Sequence, residues 1–238
     1  MDTSFWLKFA LGFLVGGIWV TLSSIAAERF GSKVGGLIGG LPSTIVVTLL
    51  FIGLTQTAAR AAESAVIVPL VMGINGLFVT VFISLSRRGL ALALAGALLT
   101  WFCLALLLML LNVQALWISL LGWLLLGVSC FLIVEKGMKI TSQGRKPTHY
   151  TAAQIAGRAA LSGSVVAAAV LMSKLAGPLA GGIFATFPAV FLSNLVISYR
   201  SGGAAFAGAV AKALMVSGLI TVPIYALLVW TFYPRLGL

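Results

Sequence analysis

GSKVGGLIGGLP at residues 31–42 and GPLAGGIFATFP at residues 177–188 decide how this chain is read, because the second stretch lies on the first without a gap. Gly31 falls on Gly177, the pair Gly35-Gly36 on Gly181-Gly182, and Pro42 on Pro188, all at a displacement of 146 residues. The match continues downstream, with Leu49 on Leu195, Ala58-Ala59 on Ala204-Ala205, Ala61 on Ala207 and Ala65 on Ala211. Alanine and leucine coincide easily, so the glycine pair and the proline at fixed spacing carry the case for an internal duplication.

The surroundings of these stretches are apolar. Of 238 residues, 61% are hydrophobic and only 8% charged, and the mean hydropathy is +1.16; a soluble domain does not tolerate that balance. A helix needs roughly 20 apolar residues to cross the hydrocarbon, and in lipid only helices and closed barrels satisfy their own backbone groups. The apolar runs lack period-two alternation, so the fold class is an all-α, polytopic transmembrane bundle. Charges and Gly/Pro breaks divide it into eight spans near 5–26, 34–54, 62–86, 89–111, 114–134, 152–175, 179–199 and 204–232. The weakest boundary, Asn112-Val113-Gln114, must still be a reversal, since one helix over 89–134 would measure roughly 65 Å, about twice the hydrocarbon thickness.

The polar run Glu135 to Tyr150 is the one candidate linker. It separates a first membrane repeat with two extra spans (1–134) from a second repeat (151–238), with 135–150 as a cytoplasmic connection. The net charge of +11 sits in short connections, which points to membrane orientation rather than nucleic acid. Arg29, Lys33, Arg87, Arg88, Lys136, Lys139, Arg145, Lys146, Arg158, Arg200 and Lys212 fall on one side; Lys8, Arg60, Lys174 and Arg235 fall on the other. The rich side reads as the cytoplasm, so both termini are expected outside it, in the inner (plasma) membrane. Met1 to Ser4 carry Asp2 and no basic cluster, so the first span reads as retained rather than as a cleaved signal.

One copy begins with span one and the other with span six. A displacement of five spans is odd, so the second copy enters from the opposite side and the repeat (spans 1–3 and 6–8) is inverted. That architecture recurs in secondary transporters, whose substrate sites lie near the midplane on interrupted helices. Here the interruptions are Gly39-Gly40-Leu41-Pro42 and Ala185-Thr186-Phe187-Pro188: proline removes a donor and clashes with the preceding turn, and glycine permits non-helical backbone. Prolines in the first turn of the outgoing helices would leave positively polarised N–H groups exposed. The candidate substrate-binding residues are Gly39, Gly40, Pro42, Ser43, Thr44, Thr186, Pro188, Asn194 and Lys212, with Glu63 as a candidate coupling residue. The alternative is that small residues and prolines merely let membrane helices pack closely.

Other chemistry has few residues to work with. Cys103 and Cys130 each lie inside an apolar run and read as small buried hydrophobes. Lys8, Arg158 and Lys174 lie near span ends, where long cationic side chains reach the interface. Asn75 reads as an interhelical hydrogen-bonding residue. The single histidine, His149, lies in the linker, so no metal site, cofactor or His-based catalytic constellation is expected, and no enzyme.

The run AGGIFATFPAVFLSNLVISYRSGG, followed by Thr221 to Tyr225 and the closing Pro234 to Leu238, resembles the GlpM family of small membrane proteins. The resemblance spans residues 175–238 and, more weakly, 31–86. It implies four-span units with an early Gly-x-x-x-x-Phe-Pro helix, here two units fused through an extra span, and it brings no catalytic residue. The first copy departs from the pattern with Leu41 where the second has Phe187.

The expected function is therefore a secondary-type transporter or exporter of a small solute, with scarce acids and helix N-termini favouring an anion or zwitterion. Its partners would be the bilayer, the solute and no nucleic acid; glycine-rich helices leave packing within one chain or with a second copy both open. The alternatives are a non-transporting scaffold subunit in envelope or lipid metabolism, and a passive channel or scramblase.

Overall fold

The computed structural model describes residues 3–28, 38, 41–141 and 151–237. Gly39, Gly40, most of the linker with His149, and the start of span two therefore lie outside the described residues. Every regular element among the described residues is helical, and the eight expected spans are all helical, spans three and seven each as two helices with a break between. They are α1 (Thr3–Glu28), α2 (Ser43–Thr55), α3 (Ala58–Ala65), α4 (Val68–Ser86), α5 (Leu90–Leu111), α6 (Leu116–Leu132), α7 (Ala152–Ala176), α8 (Pro178–Ala185) and α9 (Ala189–Leu236). Among the described residues, six stretches are long and apolar enough to cross a membrane, the last being the broken run Pro178–Leu236.

Local chemistry sets the boundaries. A capping box opens α7: the Thr151 hydroxyl accepts from the Gln154 N–H at 3.2 Å, and the Gln154 side chain accepts from the Thr151 N–H at 3.1 Å. Gly177, at φ +89°, ends α7, and Pro178 starts α8. The expected reversal at Asn112 is present as a left-handed cap whose N–H bonds the Leu108 carbonyl. In α9 the helix is interrupted at Gly203, at φ +74° and ψ −172°. A limb of residues 189–202 and a limb of residues 204–236 result, matching spans seven and eight. Span three begins earlier than expected, because Thr57 caps α3 and Pro69, unable to continue the preceding turn, forces a restart at α4.

The window of α4 is 78% buried, whereas those of α5 and α6 are 22% buried. The core is therefore α4 with α9, and the two extra spans pack on the outside of α4, presenting leucines, Phe102, Trp117 and Phe131 outward. Cys130 is buried, but Cys103 faces outward, contrary to its expected burial, because α5 covers α4 along one stripe only.

The other side of the bundle is α1 against α7. A Cβ built on Gly17 would lie 2.7 Å from the Ala159 carbonyl oxygen, and one on Gly163 would lie 2.5 Å from the Phe13 carbonyl oxygen. Both approaches require glycine. The two contacts are reciprocal in sequence: Phe13 and Ala159, like Gly17 and Gly163, are 146 residues apart, and the pairing runs the two helices antiparallel. At one end of the bundle the Lys8 ammonium donates to the Leu54 carbonyl at 2.8 Å and Lys174 sits 3.6 Å over the Phe5 ring. At the other, the Tyr199 hydroxyl donates to the Ser86 carbonyl at 3.1 Å.

Gly17→Ala and Gly163→Ala should each lower stability by about 1–3 kcal/mol through overpacking. Gly157→Ala, where nothing lies within 4 Å of the added carbon, should be neutral; thermal unfolding of the detergent-purified protein measures all three.

Candidate functional site

Pro42 and Pro188 do the same thing to the backbone. Each is the residue just before its helix rather than inside the first turn, with φ −76° and ψ 39° at Pro42 and φ −77° and ψ 44° at Pro188. The flanking hydrogen bonds match as well. Leu41 and Phe187 donate to the carbonyls of Ile38 and Phe184, both at 3.1 Å; Val46 and Leu192 donate to the two proline carbonyls, both at 2.8 Å. A proline at this position loses no helical hydrogen bond, and its ring blocks backward continuation of the helix.

The two breaks meet around one small, partly open cavity of about 40 Å³, with the half-exposed Leu41 on its wall. Its walls include Leu41 and Phe187, Pro42 and Pro188, Thr44 and Val190, Ile45 and Phe191, and Met72 and Gly218. Each of these five couples is separated by 146 residues. Met72 touches Gly218 directly, since a Cβ on that glycine would come within 2.6 Å of the Met72 methyl. Thr186 and Asn75 complete the polar lining. The first turns of α2 and α9 both line the cavity; the Ser43 and Ala189 N–H groups bond the Leu41 and Phe187 carbonyls at 2.7 and 2.8 Å, and the helix N-termini carry partial positive charge.

Thr186 hydroxyl bonds back to the Gly182 and Ile183 carbonyls at 2.8 and 3.0 Å. Its own carbonyl, released by the break, is taken at 2.9 Å by the Asn75 amide nitrogen. Asn75 thus bridges α4 to the second break across 111 residues of sequence. The Asn75 oxygen and the Thr44 hydroxyl, on side chains 4% and 7% exposed, have no hydrogen-bond partner.

The remaining expected site residues sit elsewhere. Ser43 is half-buried beside the break but does not line the cavity. Asn194 accepts from the Arg158 guanidinium at 3.1 Å, and both residues are 4% exposed. Arg158 is thus buried rather than reaching an interface, because Asn194 on the neighbouring limb supplies an internal acceptor. Lys212 pairs with the Glu135 carboxylate at 2.6 Å and donates to the Ile140 carbonyl at 2.8 Å, so it ties α9 to the start of the linker. Glu63, the candidate coupling residue, belongs to short α3 ahead of Pro69; it lies 3.8 Å from Arg60, both side chains more than half exposed. These two line a separate recess of about 490 Å³ with Asn112, Gln114 and Gly177 to Leu179. Between recess and cavity, α3 meets α8, with Gly182 abutting the Ser64 carbonyl and Ile67.

Sequence reading expected Asn75 to hydrogen-bond between helices, as it does to the Thr186 carbonyl, but did not place it at the cavity; its position at mid-helix, one residue before Gly76, was the available signal. Phe187 explains the departure at Leu41: its ring packs edge-on against Trp101 at 5.0 Å, a partner on α5, one of the two extra spans outside the repeats, and Leu41 is 49% exposed.

Several long apolar helices define a multi-pass helical membrane protein, with two helix breaks beside one small cavity. The chain belongs to the DUF3147 family, described as a protein of unknown function, whose profile covers residues 9–115 and 158–236. No curated protein and no solved structure matches it.

Asn194→Leu should destabilise the protein by about 1–3 kcal/mol by withdrawing an acceptor from a buried guanidinium. Lys212→Met should cost at most about 1 kcal/mol, its pair being partly exposed; denaturation in detergent compares them.

Proposed function

We propose that the protein is a secondary-type transporter or exporter of a small solute, anionic or zwitterionic, bound between the two proline breaks. The observation that carries this reading is the convergence of two helix N-termini, one from each half of the sequence, on one small cavity. We read the halves as an inverted repeat related by an axis in the membrane plane. The matched proline geometry and the reciprocal Gly17–Ala159 and Gly163–Phe13 contacts support it. The resemblance to the GlpM family supports a duplication and adds no site residue. The basic residues favour both termini outside the cytoplasm, in the inner membrane. Interrupted helices are otherwise hard to justify in hydrocarbon, where backbone polar groups must find partners in protein or line a cavity.

Access follows from the same elements. The recess lined by Arg60, Glu63, Asn112 and Gln114 is the vestibule on one face, and the α3–α8 contact at Ser64 and Gly182 is the barrier between it and the cavity. Transport requires that barrier to part while the opposite side closes, a rocking of one repeat against the other.

The rival reading, an integral-membrane scaffold, draws on the outward apolar faces of α5 and α6, which would suit a protein partner as well as lipid. Cysteines at Ser43 and Ala189 in a background with Cys103 and Cys130 replaced separate the two. Under the transport reading, water-soluble maleimides label each site from one side at a time, and flux in proteoliposomes falls on substituting Pro42 or Pro188. A scaffold leaves both cysteines unlabelled from either face.

A further inference from the structure

We infer that the first residues of the linker, Glu135 to Ile140, are a latch on the face opposite the recess, and that the Lys212–Glu135 pair holds it shut. This rests on the transport reading above and names the part of the chain that closes one side of the pathway. α6 starts beside Asn112 and Gln114, which line the recess, and at its far end runs on into a single π-helical turn, Ile133–Gly137. There the chain turns back. Lys139 has φ +51°, a left-handed conformation uncommon for a residue with a Cβ and kept only where other contacts enforce it. Those contacts come from α9: the Lys212 ammonium pairs with Glu135 at 2.6 Å and donates to the carbonyl of Ile140, the residue after Lys139, at 2.8 Å. Met138 and Ile140 pack against the core. A Cβ built on Gly208 meets, among the described residues, only the Ile140 side chain, at 3.8 Å.

What the segment covers follows from the repeat. Val66 lines the recess, and the residue 146 positions later is Lys212; Ala62, one turn before Val66, corresponds in the same way to Gly208. With the halves inverted, Gly208 and Lys212 mark on the opposite face the place that the recess occupies on the first. The first face is open there, with the Arg60 and Glu63 side chains more than half exposed. On the second, Ile140 lies over Gly208 and Glu135 over Lys212. Lys212 is eight residues into the limb 204–236, about 12 Å along it, so the linker has to reach inward to meet it. The tie suits release: both partners are partly exposed, so the pair adds little to stability, and its loss frees the strained turn at Lys139. With the latch made, the opposite side is closed and the Ser64–Gly182 barrier is free to part.

The test uses two single cysteines, Gly208→Cys beneath the latch and Ser43→Cys beside the first break, each in the background with Cys103 and Cys130 replaced. A water-soluble maleimide is added to one face at a time of proteoliposomes of known orientation. Gly208→Cys should be protected when Lys212 is present, and Lys212→Met should raise its labelling from the linker face about tenfold, the effect of losing hydrogen bonds to a charged group. Lys212→Arg, which keeps the charge and the donors, should preserve the protection. Lys212→Met should also move the labelling of Ser43→Cys from the recess face toward the linker face. Gly208→Cys labelling equally fast with and without Lys212→Met overturns the latch. A rise at Gly208→Cys while Ser43→Cys keeps its balance between the faces shows a local tie only; it overturns the latch and leaves the transport reading standing. Ser43→Cys unlabelled from both faces, with and without Lys212→Met, removes the transport reading and the latch with it.

Discussion

In hydrocarbon a backbone N–H or C=O finds no water, so a helix can be interrupted only where other protein groups or a lined cavity receive what the break releases. Nearly everything distinctive in this fold follows from meeting that demand at Pro42 and Pro188. Each proline carbonyl accepts from the residue four positions on. The Thr186 carbonyl is answered from α4 by Asn75, which makes α4 the most buried span and pushes α5 and α6 to the periphery. The glycine-mediated crossing of α1 and α7 brings together the helices that precede the two breaks, so that one void serves both.

Much of this was legible in the sequence, and the part that was not has physical reasons. Span number and reversals followed from apolar length and from Gly/Pro breaks, even at Asn112. The breaks themselves were read from two prolines at matched positions, and they do face one cavity. Depth was harder. Lys212 and Glu63 were misjudged because a capped extra helix at α3 and the partner Glu135 cannot be seen by counting apolar residues. Arg158 was expected to reach an interface, yet Asn194, 36 residues on, holds it inside; such a pairing across helices leaves no local signal. Asn75 was visible only as a polar residue in an apolar run.

Cavity positions 146 residues apart match in backbone but not in side chain. Thr44 corresponds to Val190, Met72 to Gly218, and Leu41 to Phe187, which packs on Trp101. The aromatic substitution follows from α5, which lies beside the second break.

The account stands or falls on whether the two breaks enclose a common void between antiparallel halves. A density map of the protein in lipid nanodiscs, at a resolution that defines side chains, measures this directly. The account predicts Pro42 and Pro188 on opposite walls of one internal cavity, with a rotation that carries Phe13 and Gly17 onto Ala159 and Gly163 also carrying one proline onto the other. Breaks that face lipid, or that lie apart with packed side chains between them, would contradict it.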